Sequence, residues 1–302
     1  MLYDEYCFDK NLIPNDLKSL KNFYKQYREF TLELYLKIMG SEKAKQENPV
    51  NLVIGSSLKE IIELLDGIYI LSNEFSTKNV ILLVRKLFEL YLQIAFILVK
   101  NDKKKKALIY ILKNIQINKL TNWEDFCKKI EGAHNYLGIN NNDVQKCIVL
   151  INETRTYNWF TVYNKKIKNL KDLSIELDKN ENLFEQISNR SMYDKIYDSL
   201  SREAHGHASL NDIITINEKN MLVPCRSPIN CSVNFLICTA CMGLLSLLLI
   251  KYYLVDDIKI FNKCMNIYQS KNINMMSIAD RTLKNNFYVE LKKQEKVKKA
   301  PK

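Results

Sequence analysis

Sixteen consecutive residues, Phe235 to Ile250 (FLICTACMGLLSLLLI), contain no charged side chain and no proline. A helix that is apolar on every side has two stable homes: the hydrocarbon of a membrane or the centre of a ring of other helices. Crossing a bilayer takes about 20 apolar residues. This run ends at Lys251 and is diluted by Thr239, Gly243 and Ser246. The expectation is therefore a buried central helix near 232–255 in an all-α, multi-helix bundle, and not a membrane span. With 7 Gly and 5 Pro in 302 residues, the chain lacks the breakers of a turn-rich β fold.

A bundle of this kind needs amphipathic helices around its centre, and the apolar spacing supplies them. Asn15 to Gly40 places Leu17, Leu20, Phe23, Tyr27, Phe30, Leu34 and Ile38 at three-to-four steps. Residues 41–56 read as a loop punctuated by Pro49 and Gly55. Ser57 and Glu60 have the spacing of a capping box, opening a helix to Asn73. Thr77 to Lys100 is the most apolar helix of the first half. Shorter helices are expected over 104–117 and 121–137, the second opened by Thr121 and Glu124. Gly138 and the Asn140–Asn142 run mark a break. Further helices are expected over 142–152, on to Lys179, and over 181–205, where Gly206 ends the last one. Residues 211–230 read as a loop with room for a short hairpin, and polar helices close the chain. The organisation expected is an N-terminal helix and loop (1–54), a helical core domain (55–255), and C-terminal helices with a basic tail (256–302).

The formal net charge is +11. It is uneven: residues 292–302 hold six lysines against Glu295, and Lys103 to Lys106 form a second run. Such runs are either solvated surface or a footprint for nucleic acid or an anionic surface. The N-terminus, MLYDEYCFDK, has no basic segment followed by an apolar one, so it does not read as a secretory signal. The eight cysteines are scattered through the chain, which fits a reduced, cytoplasmic setting. No cofactor and no metal is expected. Cys238 and Cys241 have redox or metal spacing, but no second pair accompanies them, and they read as small core residues. His134 reads as a surface or capping residue near a helix end. P-loop, GxGxxG, GxSxG and HExxH motifs are all absent from the sequence.

Two sets of residues carry possible chemistry. Arg85 and Glu89 are four apart, so they share a face of the apolar helix 77–100. A charge placed there needs a partner, whether as a structural ion pair or as the lining of a polar pocket. Tyr197, Ser201 and His205 follow at four-residue steps and form one stripe. Arg202, His205 and His207 converge where Gly206 stops the helix, at a C-terminus whose dipole favours a protonated imidazole.

Taken in order, Arg85-Lys86-Leu87-Phe88-Glu89, Trp159-Phe160 and Tyr197-x-x-Leu200-Ser201-x-x-x-His205 resemble a bacterial family of helical domains of unknown function. The resemblance covers residues 55 to 255 and implies an all-helical fold with no assigned reaction. A looser likeness is to HEPN domains, helical bundles found in toxin and antiviral ribonucleases, whose signature is Arg, four to six residues, then His. Arg202 and His207 match that spacing, while Glu203 departs from the Asn, Asp or His that often follows the Arg. This likeness implies metal-independent RNA cleavage, in which the ribose 2′-hydroxyl attacks the adjacent phosphate. An imidazole would act as base and the guanidinium would hold the phosphoryl oxygens. Arg202 and His207 would then be catalytic, with His205 and Ser201 assisting, and the site would be shared across a homodimer.

Two functions are thus expected from sequence. The first is a HEPN-like endoribonuclease, a toxin or phage-defence effector with RNA as its partner. The alternative is a non-enzymatic binding or interaction module with a polar pocket formed by Arg85, Glu89, Tyr197, His205 and Trp159.

Overall fold

A computed structural model describes residues 15–46, 48–74, 76–99, 101–129, 139–181, 213–216, 219–222 and 231–268. Eleven helices are formed by these residues: α1 (Asn15–Gly40), α2 (Glu42–Lys45), α3 (Pro49–Asn73), α4 (Thr77–Leu98), α5 (Lys103–Asn114), α6 (Leu120–Lys129), α7 (Asn141–Thr154), α8 (Trp159–Tyr163), α9 (Leu170–Glu181), α10 (Cys231–Tyr253) and α11 (Ile258–Tyr268). The fold is all-α, with one short antiparallel hairpin, β1 (Ile213–Ile216) and β2 (Lys219–Leu222), in which Ile213 pairs with Leu222.

The apolar run sits in α10, which packs on α4, α1 and α11. Cys238, Cys241, Leu245 and Leu249 are completely enclosed, as a helix without a polar stripe requires. None of the described helices is long and apolar enough to cross a membrane. α3 and α4 lie against each other as the most extensive helix pair, and α4 in turn meets α9. On α1 the expected face is buried through Phe30, Leu34 and Ile38. Burial pushes the thiols of Cys238 and Cys241 far above their ordinary range, and that of Cys264 up to about 12.

α3 corrects the expected loop over 41–56. Its first residue is Pro49, where a missing N–H costs nothing and the ring's fixed φ suits a helix start. The Asn48 side chain accepts from the Val50 N–H at 3.0 Å, so it, and not Ser57, is the cap. Ser57 is buried more than two turns further on. Asn51 then ties three elements together. Its amide donates to the Lys43 carbonyl at 2.7 Å and the Gln46 carbonyl at 2.8 Å, and its Oδ1 accepts from the Tyr253 hydroxyl at 2.8 Å. The buried residues of α1 and α3 belong to the same apolar cluster as those of α4 and α10.

Smaller corrections follow the same logic. α6 begins at Leu120, which puts Thr121 inside the helix and not at its cap. Asn140 caps α7 by accepting from the Asp143 N–H at 2.8 Å. Trp159 to Tyr163 form the one-turn helix α8, while the short hairpin expected within 211–230 is present as β1–β2.

Candidate functional site

The polar positions of α4 recur once per turn. Arg85, Glu89 and Gln93 are four apart and lie on one side of a helix whose remaining faces bury Val84, Leu87, Phe88 and Tyr91. Arg85 Nε donates to Glu89 Oε1 at 3.1 Å, and the two side chains are 21% and 23% exposed. This is a recessed ion pair, neither sealed in the core nor free in solvent. Neighbouring Lys86 points elsewhere, to Glu60 of α3 at 3.4 Å.

One turn on, Gln93 Oε1 accepts from the indole Nε1 of Trp159 at 3.2 Å. Trp159 opens α8, and its ring packs against Phe96 at 5.6 Å and edge-on against Tyr110 at 5.4 Å. α8 is thereby held against both α4 and α5. Arg85 with Glu89, and Gln93 with Trp159, thus form a polar ladder of two bonded pairs along one face of α4. Three of these four were singled out from sequence. Gln93 was not, although its position four residues after Glu89 is visible in the sequence once the helical period is imposed.

The ladder leads to a second polar centre. Lys106 is buried, and Nζ donates to the carbonyls of Phe96 at 2.9 Å and Val99 at 2.6 Å. These are the terminal carbonyls of α4, so a cation sits at the negative end of that helix. Its ammonium also lies 4.7 Å from the Phe96 ring and 5.2 Å from that of Tyr163. Lys106 lines a small cavity of about 200 Å³ with Tyr163, Asn164 and Glu176. The Tyr163 hydroxyl donates to Asp102 Oδ2 at 3.2 Å. Burial, and then the Asp102 carboxylate, raises its pKa. The lysine run at 103–106 is therefore not a uniformly solvated helix start: its last member is a structural cation. Sequence reasoning had no signal for this beyond the helical phase, which puts Lys106 on the same side as the buried Ile109 three residues on.

Arg202, His207, His205, Ser201 and Tyr197 lie outside the described residues, as does His134. The structure pairs Arg85 with Glu89 and sets Trp159 on Gln93, one turn further along the same face of α4. Among the described residues no group of three or more His, Cys, Asp and Glu side chains is placed to hold a metal ion.

A model of a protein family matches residues 51–222, a span that holds the ladder, the tryptophan and the 197–207 motif. The chain belongs to the Family of unknown function DUF5677. No curated protein and no solved structure matches it. The DUF5677 match starts inside α3 and ends at β2, short of the span to 255 expected from the motifs. α1 and the central helix α10 are thus outside the matched part, although α10 supplies the surface on which the DUF5677 helix α4 packs.

Proposed function

We propose that this DUF5677 chain is a helical binding module whose site is the polar face of α4, with Arg85, Glu89 and Gln93 as its floor and Tyr197 and His205 as further lining groups. The observation that supports this reading is the recessed Arg85–Glu89 pair, held at 3.1 Å on a predominantly apolar helix. Apolar residues of similar size at such positions often leave a fold as stable or more so. A charged pair kept there fits a role in recognition. A donor fork, a carboxylate and an amide on one helix face suit a small polar ligand or a polar loop of a partner protein.

The test is a thermal-shift screen of the full chain against polar metabolites, run beside the double substitution Arg85→Leu/Glu89→Leu. The expected result is a ligand that raises the melting temperature of the wild type and leaves the double variant, itself well folded, unmoved. Equal shifts in both proteins would remove the ladder as the site.

A second reading is a metal-independent endoribonuclease of toxin or phage-defence type. It is favoured by the Arg202-x4-His207 spacing within the family span. Here Arg202 would hold the phosphoryl oxygens, His207 would move the proton, and His205 and Ser201 would assist. Incubation with total RNA, with and without EDTA, tests it beside His205→Ala and His207→Ala. Cleavage that survives EDTA and disappears with His207→Ala supports the reading. No cleavage by the wild type, or equal cleavage by both variants, ends it.

A further inference from the structure

α5 begins in a way that works against its own stability. Its first turn is Lys103-Lys104-Lys105-Lys106, with no acidic residue. The N-terminal end of a helix carries partial positive charge, and acidic side chains are the stabilising choice there. The preceding Asp102 does not relieve the conflict. It sits in the left-handed region (φ 61°, ψ 28°), its side chain caps no N–H, and its carboxylate is drawn away to the Tyr163 hydroxyl. Lys106 turns inward, which leaves Lys104 and Lys105 exposed at the positive end of the helix.

These two lysines open onto a groove. Lys104 and Lys105 form one wall and Lys146 of α7 another, over an apolar floor that includes Leu108 and Leu150, with a volume of about 340 Å³. The carboxylates in the lining are Asp102, engaged as described, and Asp143, which lies 3.9 Å from Lys146 Nζ. Among the described residues three ammonium groups and the helix dipole thus face two carboxylates. The excess extends past the groove: burial, and then nearby Lys103, lower the pKa of Lys43. Among the described residues the groove's lining has no arginine and no aromatic, so these residues offer charge without the means to read bases.

We propose that the groove between α5 and α7 binds the phosphate groups of an anionic ligand, contacted by Lys104, Lys105 and Lys146. Local rules are broken where function requires it, and an anion at this point satisfies the lysines and the helix end together. Two sources offer that chemistry: the backbone of a single-stranded nucleic acid, and a compact polyphosphate. The site is separate from the α4 ladder and independent of either reading of it.

The test uses fluorescence anisotropy of the full chain with a 5′-labelled oligothymidylate, which has backbone phosphates and no 2′-hydroxyl to be cleaved. Inorganic pyrophosphate is the competitor. The variant Lys105→Glu/Lys146→Glu is compared with Lys59→Glu/Lys259→Glu, which makes the same change in net charge at exposed positions of α3 and α11. The groove variant is expected to bind about tenfold or more weakly, and the control to stay within about twofold of wild type. The slope of log affinity against log salt should fall by about one to two in the groove variant alone. Displacement by pyrophosphate assigns the groove to compact phosphates, and resistance to it assigns the groove to a polymer backbone. Lys105→Gln/Lys146→Gln, a milder change, repeats the measurement should the reversal disturb folding. Failure of the wild type to bind either probe overturns the proposal. So do equal losses in the two charge-reversal variants, or an unchanged affinity in the glutamine variant.

Discussion

Trp159 Nε1 donates to Gln93 Oε1 at 3.2 Å, across 66 residues of chain. The bond ties the one-turn helix α8 to the polar edge of α4, next to the Arg85–Glu89 pair. It turns two separate sequence motifs into parts of one surface.

Gln93→Leu leaves the indole N–H of a nearly buried tryptophan without its acceptor. The expected cost is about 1–3 kcal/mol in urea unfolding. Trp159→Phe removes the donor as well as ring volume, and the two changes together should cost less than their sum. Strict additivity in a double-mutant cycle would show that the bond contributes nothing.

Lys106→Met keeps most of the side-chain volume and removes the donor to the Phe96 and Val99 carbonyls. Stability is expected to drop by about 3 kcal/mol, because buried carbonyls at a helix end lose a charged partner. Equilibrium denaturation checks this; a loss under about 0.5 kcal/mol would mean that water replaces the ammonium there.

Gly55 lies inside α3, where a Cβ would meet only the Met39 side chain at an ordinary 3.6 Å. Gly55→Ala should therefore stabilise the protein by about 0.5–1 kcal/mol through helix propensity and a smaller unfolded ensemble. A lower melting temperature would contradict the placement of this residue in a helix interior.

The Lys37 hydrogen bond, followed by the Ile260 N–H, holds the Asp257 carboxyl below its ordinary value of 3.8. A carboxyl whose pKa is lower in the folded state contributes above its unfolded value. The contribution is lost as pH falls through the folded value. Melting temperature measured from about pH 6 down to about pH 2 should fall less steeply in Asp257→Asn than in the wild type. Superimposable acid limbs would show the group to be without effect.

Burial pushes the Cys147 thiol up to about 11 from an ordinary 9.0. The unfolded chain ionises first, so stability declines as pH rises from the ordinary value toward the folded one. Cys147→Ala is expected to flatten this alkaline limb. In the native protein at neutral pH, site-resolved mass spectrometry should find Cys127, Cys147, Cys238, Cys241 and Cys264 unlabelled by a thiol reagent, and labelled after denaturation. Rapid native labelling of Cys238 or Cys241 would contradict the burial of α10.

The central helix was legible because Phe235–Ile250 offers no polar stripe, so no arrangement other than enclosure satisfies it in water. α4 was legible for the related reason that its apolar residues keep helical period around Arg85 and Glu89. The start of α3 was misread because Pro49 and Gly55 are breakers on average. The signal for a helix start there is local, an Asn48 cap directly before Pro49, and it outweighs the average breaker tendency of the two residues. Gln93 was overlooked because a lone glutamine carries no chemical signature until an indole 66 residues away is placed against it.

Hydrophobic period and breaker content are local properties, and by themselves they determined that this chain is helical, that α10 is its centre and that Arg85 and Glu89 share a face. Which polar groups meet is a matter of distance between segments far apart in the chain. Only tertiary packing decided that Trp159 would close the α4 ladder, that Lys106 would cap α4 while Lys104 and Lys105 stayed outside, and that Lys146 would complete a cationic groove. The reason is that burial energy follows side-chain type, whereas hydrogen bonds and ion pairs depend on positions set to within an ångström by the whole core.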